Sequence, residues 1–341
     1  MLVGTSYPAS RLSHTDNIIY AKGQTTPSSI DTSLVNWHGD CYDLLDEIPD
    51  DSISLTFTSP RFDIKKSYES SKQDLQNWIK EQTGFVEKIV QKTKPGGHLV
   101  WDLGMWVSGT GRNSQVIPLD AFIVQIFLDQ GLQIRNRIVW EYPHGPECKH
   151  RFTGKHNTAI WAVKPGADYH FDLDSVRVPQ KYPGKRYSKG SKKGKLSGNP
   201  LGKNPGDVWK ISNVKSSHPE KQMQNGSAVH PCQFPIAYAE QFVLALTEPE
   251  DLVFDPFSGL GSTALAAVKN GRRGWCSDLV KDYVEVAQRR FGELIDGKLP
   301  YNPMKGEVEV NTQDKRSQVP LEWAQNPSVI PDMDSTGGLS N

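Results

Sequence analysis

Leu252-Val-Phe-Asp255 is a short apolar run ending in an acid. Phe257 to Gly261 is a glycine turn, and Ser262 to Asn270 has helical character. Gly274 to Asp278 then supplies another short apolar run. A strand, a tight turn, a helix and a second strand in that order return the chain to the same sheet by a crossover, which sets two neighbouring strands parallel. The same alternation runs through the rest of the chain. Ile53 to Thr58 predicts a strand stopped by Ser59-Pro60. Residues 71–93 carry helical spacing at Leu75, Trp78, Ile79, Phe85, Ile89 and Val90, and end at the breaker Pro95-Gly96-Gly97. Strands are predicted at 98–102, 134–140 and 158–163, and helices at 118–130, 235–247 and 282–294. The expectation is an α/β protein with a doubly wound, mostly parallel sheet.

The flanks read differently. Residues 1–30 are rich in Ser, Thr and Pro without apolar periodicity and predict an N-terminal arm. Residues 298–341 are polar, with Pro and Gly at intervals, and predict a C-terminal tail. The sheet-forming pattern divides into 31–167 and 229–297, with an insert at 168–228 between them.

Net charge is zero, from 39 Lys and Arg against 39 Asp and Glu, but it is unevenly spread. From Ser175 to Gly206 there are nine Lys or Arg and no Asp or Glu. Such a block suits a polyanionic partner despite the neutral total. No apolar run approaches about 18 residues, and the N-terminus has no basic stretch leading into an apolar one. No membrane association is expected, and the reading is a cytoplasmic protein. The four cysteines, Cys41, Cys148, Cys232 and Cys276, form no CxxC pair. They are expected to be free thiols, with no metal site.

Two turns carry the chemistry. The glycines of Asp255-Pro-Phe-Ser-Gly-Leu-Gly-Ser262 let the backbone bend sharply and approach a ligand. Asp278, 23 residues after Asp255, ends the next predicted strand, where a carboxylate can accept both hydroxyls of a ribose. The turn is not GxGxxG and lacks the P-loop lysine, so a nucleoside without a phosphate chain suits it better than ATP. The second turn, Ser59-Pro60-Arg61-Phe62, sets a hydroxyl, a carbonyl and an aromatic plate at a strand's carboxyl edge. Such a set could hold a flat heterocycle bearing an amino group.

In order along the chain, these segments resemble the β arrangement of the DNA amino-methyltransferases. The family's catalytic motif is Ser/Asp-Pro-Pro-Tyr/Phe, and Ser59-Pro60-Arg61-Phe62 stands in its place. Gly39 to Leu45, Lys94 to Gly97, Arg135 to Trp140, Gly202 to Trp209 and His230-Pro-Cys-Gln-Phe-Pro235 follow the family order. The likeness covers about residues 36–294. It implies a Rossmann-like methyltransferase fold with S-adenosyl-L-methionine as cofactor. Asp40, Asp255, Pro256, Phe257, Gly259, Gly261 and Ser262 would line the cofactor pocket, with Asp278 on the ribose. His230, Pro231 and Phe234 would close over the methionine end. Ser59 and the carbonyl of Pro60 would accept the hydrogens of the target amine, and Phe62 would stack on a base flipped out of the duplex.

The family usually has proline where this chain has Arg61. That departure leaves open an active enzyme or a DNA-binding protein of the same fold with weakened catalysis. Serine at position 59 leans toward N4 of cytosine, with N6 of adenine the alternative. Pro231-Cys232 matches the dipeptide of C5-cytosine enzymes but falls in the cofactor segment. In the insert, Lys181, Lys185, Arg186, Lys189, Lys192, Lys193 and Lys195, interleaved with Tyr182 and Tyr187, are expected on DNA phosphates. Arg61 and Arg112 are expected to add contacts. The partners expected are double-stranded DNA and a separately acting cognate restriction endonuclease. The protein would be a monomer or dimer, of prokaryotic or phage origin.

Overall fold

A computed structural model describes residues 12–13, 18–23, 27–61, 75–108, 111–143, 145, 147–214, 230, 232–301, 315–320 and 323. The chain divides into two compact units. One comprises Tyr7–Phe171 and Asp207–Met304, and the other comprises Asp172–Gly206 with the described residues beyond Lys305.

The larger unit is built on a sheet. Its strands are β1 (Ile19–Tyr20), β2 (Leu34–His38), β3 (Ile53–Thr58), β4 (Thr93–Leu103), β7 (Gln133–Glu141), β8 (His156–Val163), β9 (Val208–Lys210), β10 (Leu252–Asp255) and β11 (Arg273–Asp278). A separate two-stranded ribbon joins β5 (Trp106–Ser108) to β6 (Gln115–Ile117). The nine strands run in the order β1-β2-β11-β10-β3-β4-β8-β7-β9. Among them β8 alone runs against its neighbours. The helices are α1 (Cys41–Glu47), α2 (Leu75–Lys92), α3 (Leu119–Asp129), α4 (Ile236–Leu246), α5 (Ser262–Lys269) and α6 (Lys281–Ile295).

Every residue of β3 and β10 is buried, as expected for central strands covered on both faces. Leu99, Trp101 and Leu103 of β4 join residues of α1, α2 and α3 in one core. The alternating Val100 and Asp102 are equally buried, so helices cover the other face too. There Phe57 packs on Phe234, Tyr238 and Phe242, with ring centroids 5.1, 5.5 and 4.8 Å away. Aromatic pairs at such separations add to the area they bury.

The chain leaves β3 toward β4 on one side and β10 toward β11 on the other. The two central strands therefore flank a topological switch point, where the connections part and leave a crevice at the carboxyl edge. Both chemically loaded turns, after β3 and after β10, open there.

Two departures from the sequence reading have physical causes. The predicted breaker at Pro95-Gly96-Gly97 lies inside β4. The β3–β4 register jumps from Ile53↔Thr93 to Leu55↔His98, so the intervening residues bulge out, with Gly96 at φ +76°. β2 went unpredicted because Asn36 interrupts its apolar pattern. Asn36 is fully buried, and its amide donates to the Val284 carbonyl at 3.0 Å and to Gln288 Oε1 at 3.2 Å.

In the smaller unit residues 185–197 of the basic block form a hairpin. Tyr187 N donates to Lys195 O at 3.0 Å, Gly194 N to Tyr187 O at 2.9 Å, and Ser197 N to Lys185 O at 2.8 Å. Gly184 N donates to Arg316 O at 2.8 Å, and the Arg316 guanidinium lies 4.8 Å from the Tyr182 ring centroid. Residues near the C-terminus thus pack on the hairpin's base. No described helix is long and apolar enough to cross a membrane. No group of His, Cys, Asp and Glu among the described residues could hold a metal ion.

Candidate active site

A cavity of about 1200 Å³ opens at the carboxyl edge of the sheet in the larger unit. On one side stand Asp40, Asp278, Leu279, Val280, Pro256, Phe257 and His230. On the other stand Ser59, Pro60, Arg61, Asp102, Asn157, Trp140 and Tyr142.

The acidic side is held by backbone. Asp40 caps α1, accepting from Tyr42 N at 3.0 Å. Asp278 accepts from Gly259 N at 2.9 Å through Oδ2 and from Val280 N at 2.9 Å through Oδ1. Burial pushes its carboxyl up to about 6, against those backbone bonds. Each of its oxygens keeps a lone pair for a ligand hydroxyl. Phe257 meets Phe85 edge-on, with centroids 4.8 Å apart. His230 stands 4.7 Å from Tyr283, ring to ring.

The other predicted members of the glycine turn act inside the fold and do not line the cavity. Asp255 is fully buried and accepts from Thr58 Oγ1 at 2.7 Å and from Phe257 N at 3.1 Å, so it ties the two turns together. Gly261 begins α5 at φ +75°, and a Cβ there would lie 3.2 Å from both Ala287 and Phe291. It lets α5 pack on α6. Gly259, at φ +51°, leaves room for His230, whose Nε2 would be 3.1 Å from an added Cβ. Ser262 Oγ donates to the Phe234 carbonyl at 3.0 Å and accepts from Gln233 Nε2 at 3.2 Å, anchoring the segment after His230. Phe234 touches the cavity but belongs mainly to the aromatic core. Pro231 and Phe62 lie outside the described residues.

The serine side contains a network that the sequence reading missed. Ser59 Oγ donates to Asp102 Oδ2 at 3.1 Å. The same oxygen accepts from Asn157 Nδ2 at 2.7 Å, and Oδ1 accepts from Tyr238 OH at 3.0 Å. Trp140 stacks on Tyr238 with centroids 4.7 Å apart. Asp102 is wholly buried, and burial pushes its carboxyl up to about 6 against the bonds from Asn157, Tyr238 and Ser59. The sequence did hold a signal: like Asp255, Asp102 is an acid near the carboxyl end of an apolar strand. Its three partners come from three distant segments, so no local motif shows them.

Arg61 lines the cavity and faces Glu81, 3.7 Å away, while its carbonyl accepts from Trp78 Nε1 at 3.0 Å. The turn is therefore pinned to α2 by backbone where the family's proline would stiffen it. Arg112 is exposed in a short 3₁₀ turn away from the cavity lining. The seven predicted DNA-contacting residues of the insert are all exposed in the smaller unit.

A family model described as DNA methylase, of the N6/N4 type, matches residues 53–289. The type II methyltransferase M.BglII of Bacillus subtilis is 41% identical over 263 residues, covering 76% of this chain and 70% of that protein. The DNA adenine methyltransferase YhdJ of Escherichia coli is 27% identical over 260 residues, covering 74% and 81%. Among solved structures, the cytosine-N4-specific PvuII DNA methyltransferase superposes with a TM-score of 0.58 at 22% identity, covering 80% of this chain and 95% of that one. That likeness bears on the fold: a mostly parallel sheet with helices on both faces. The matched span runs from β3 into α6 and encloses both turns and the network behind Ser59; the chain belongs to the N6/N4 family of DNA methylases.

Proposed function

We propose that this DNA methyltransferase binds S-adenosyl-L-methionine on the acidic side of the cavity and methylates N4 of a cytosine turned out of double-stranded DNA. The observation that carries this reading is the bond from Ser59 Oγ to Asp102.

The residues present fit the cofactor. Asp278 and Asp40 are fixed by backbone N–H groups and keep lone pairs for hydroxyl or ammonium donors. Leu279, which is 69% exposed, and Phe257 offer apolar surface for a purine. When bound, the cofactor supplies a methyl on a sulfonium sulfur that leaves as a neutral thioether.

The chain's own task is to make the amine a nucleophile. The lone pair of an aromatic amine is conjugated into its ring. Because Ser59 donates its hydrogen bond to Asp102, its oxygen lone pairs are left to face the cavity as acceptors. The Pro60 carbonyl is a second acceptor. Two acceptors pull the amine's N–H bonds out of the ring plane and aim the lone pair at the methyl group. This is catalysis by positioning and electrostatics. Once nitrogen has gained a methyl and a positive charge, it passes a proton to Ser59 Oγ, whose own proton moves to Asp102. A carboxyl near 6 is well matched to take a proton at neutral pH.

Within the family, serine rather than aspartate at position 59 leans toward cytosine; here its neutral hydroxyl is backed by the Asp102 carboxylate. The exposed basic hairpin supports contact with duplex phosphates. Kinship with type II methyltransferases supports a separately acting endonuclease of the same specificity. Nucleoside analysis of DNA methylated by the protein is expected to yield N4-methylcytosine. N6-methyladenine would move the target to adenine and leave the roles of Ser59 and Asp102 standing.

A further inference from the structure

The connection from β7 to β8, residues 142–155, rises from the carboxyl edge where the cavity opens, because β7 runs in the same direction as β4. Its base is tightly closed. Tyr142 N donates to Lys155 O at 2.9 Å. A Cβ on Gly145 would lie 2.1 Å from the Gly154 carbonyl oxygen, and one on Gly154 would lie 1.9 Å from Met105 Cε. Gly145 is needed for the backbone to approach that closely, whereas at Gly154 the contact is with the movable end of the Met105 side chain. Arg151 spans the wall, with Nη1 3.3 Å from the Phe152 carbonyl and 3.7 Å from Met105 Sδ. Gly145, Arg151, Gly154 and Met105 line the same cavity as Ser59 and Asp102.

On this braced connection Phe152 is 99% exposed. Its chain neighbours Arg151 and Gly154 line the cavity, and its own ring has forgone the burial that a core position would give it. Basic residues flank it along the chain: residues 147–156 contain Lys149, Arg151 and Lys155 against one acid, Glu147. An apolar ring among cations does not suit a lipid core or an apolar groove. It suits a stack of bases between two phosphate chains, where proteins insert apolar wedges and hold the flanking backbone with basic groups.

We infer that Phe152 is the wedge that enters the duplex beside the target and stacks in the space left by the flipped base, with Lys149 and Lys155 on the neighbouring phosphates. This rests on the DNA-methylating reading above. The wedge offsets the unstacking that turns the base toward Ser59, so it acts on flipping and leaves methyl transfer itself untouched. Phe152 is a positioning residue.

The test uses the full chain and a synthetic duplex centred on the site mapped by methylome sequencing of cells expressing the protein. It is run once with the target correctly paired and once with the target opposite a mismatched base, which already weakens its pairing. Phe152→Ala should lower single-turnover methylation of the paired duplex by about tenfold, equivalent to about 1.4 kcal/mol of lost base–aromatic stacking. On the mismatched duplex it should come within about threefold of wild type, and Phe152→Trp should stay near wild type on both. Cofactor affinity by calorimetry should not change. A paired-duplex rate equal to wild type, or an equal loss on both duplexes, overturns the wedge. So does a loss accompanied by a change in sedimentation coefficient, which would place Phe152 between copies of the chain. If the wild-type protein methylates neither duplex, the DNA-methylating reading has failed instead, and the two failures are distinct.

Discussion

Ser59 Oγ donates a hydrogen bond to Asp102 Oδ2 across 3.1 Å, and that carboxylate has no exposed surface. A hydroxyl beside a buried carboxylate can point its proton inward and keep its lone pairs for the cavity.

Ser59→Ala and Asp102→Asn should therefore resemble each other kinetically. The first removes the acceptor. The second replaces a carboxylate oxygen by an amide that can donate, so Ser59 loses its fixed orientation. Each should lower turnover by about 10²–10³, the usual effect of deleting one preorganised electrostatic partner. Cofactor affinity, read by calorimetry, should change little. Turnover at the wild-type rate in Ser59→Ala would remove the serine from the mechanism.

The same pair sets an acid limit. Burial holds the Asp102 carboxyl at about 6, above its ordinary 3.8. Its charged form is the working form, so activity is present above about pH 6 and is lost as pH falls through that value. The stability sign is opposite: between about pH 4 and 6 the folded state holds a proton that the unfolded chain has released. Ionisation of Asp102 therefore costs stability that is recovered on acidification. Single-turnover rates from pH 5 to 8 should fall about tenfold per unit on the acid side. A flat profile down to pH 5 would show that Asp102 does not take part as a carboxylate.

Asp278 and Gly261 should separate cleanly when replaced. Asp278→Asn removes a charged acceptor facing the cavity and should weaken cofactor binding about tenfold or more, since hydrogen bonds to charged groups contribute about 1.5–3 kcal/mol. Gly261→Ala puts a side chain at φ +75° and 3.2 Å from Ala287 and Phe291. It should cost about 1–3 kcal/mol of stability, seen as a lowered Tm. Cofactor affinity of the folded fraction should stay unchanged. A stable Gly261→Ala protein that fails to bind cofactor would return Gly261 to the binding site.

Replacing Lys189, Lys192 and Lys193 together by Gln should weaken DNA binding and reduce the slope of log K against log salt by about 0.9 for each phosphate no longer neutralised. All three are exposed in the 185–197 hairpin, so the fold should not be disturbed. An unchanged slope would take the hairpin off the DNA backbone.

The alternation of elements, the two turns and their order are written in the chain itself. Those properties are local: β10 at Leu252–Asp255 lies where the apolar run and its acid predict it, and the glycines of 257–261 mark the turn that follows. Local pattern also marked Asp278, Ser59 and the basic block. Which members of the glycine turn face the cavity is settled by packing alone. Asp255 and Gly261 carry strong motif signals, yet one ties β10 to Thr58 and the other lets α5 meet α6. Folding likewise brings Asp102, Asn157 and Tyr238 together behind Ser59, from four separate segments of the chain. A buried carboxylate must find its donors wherever the sheet and the helix on it converge. That convergence depends on strand order, and the spacing of residues along the chain does not express it.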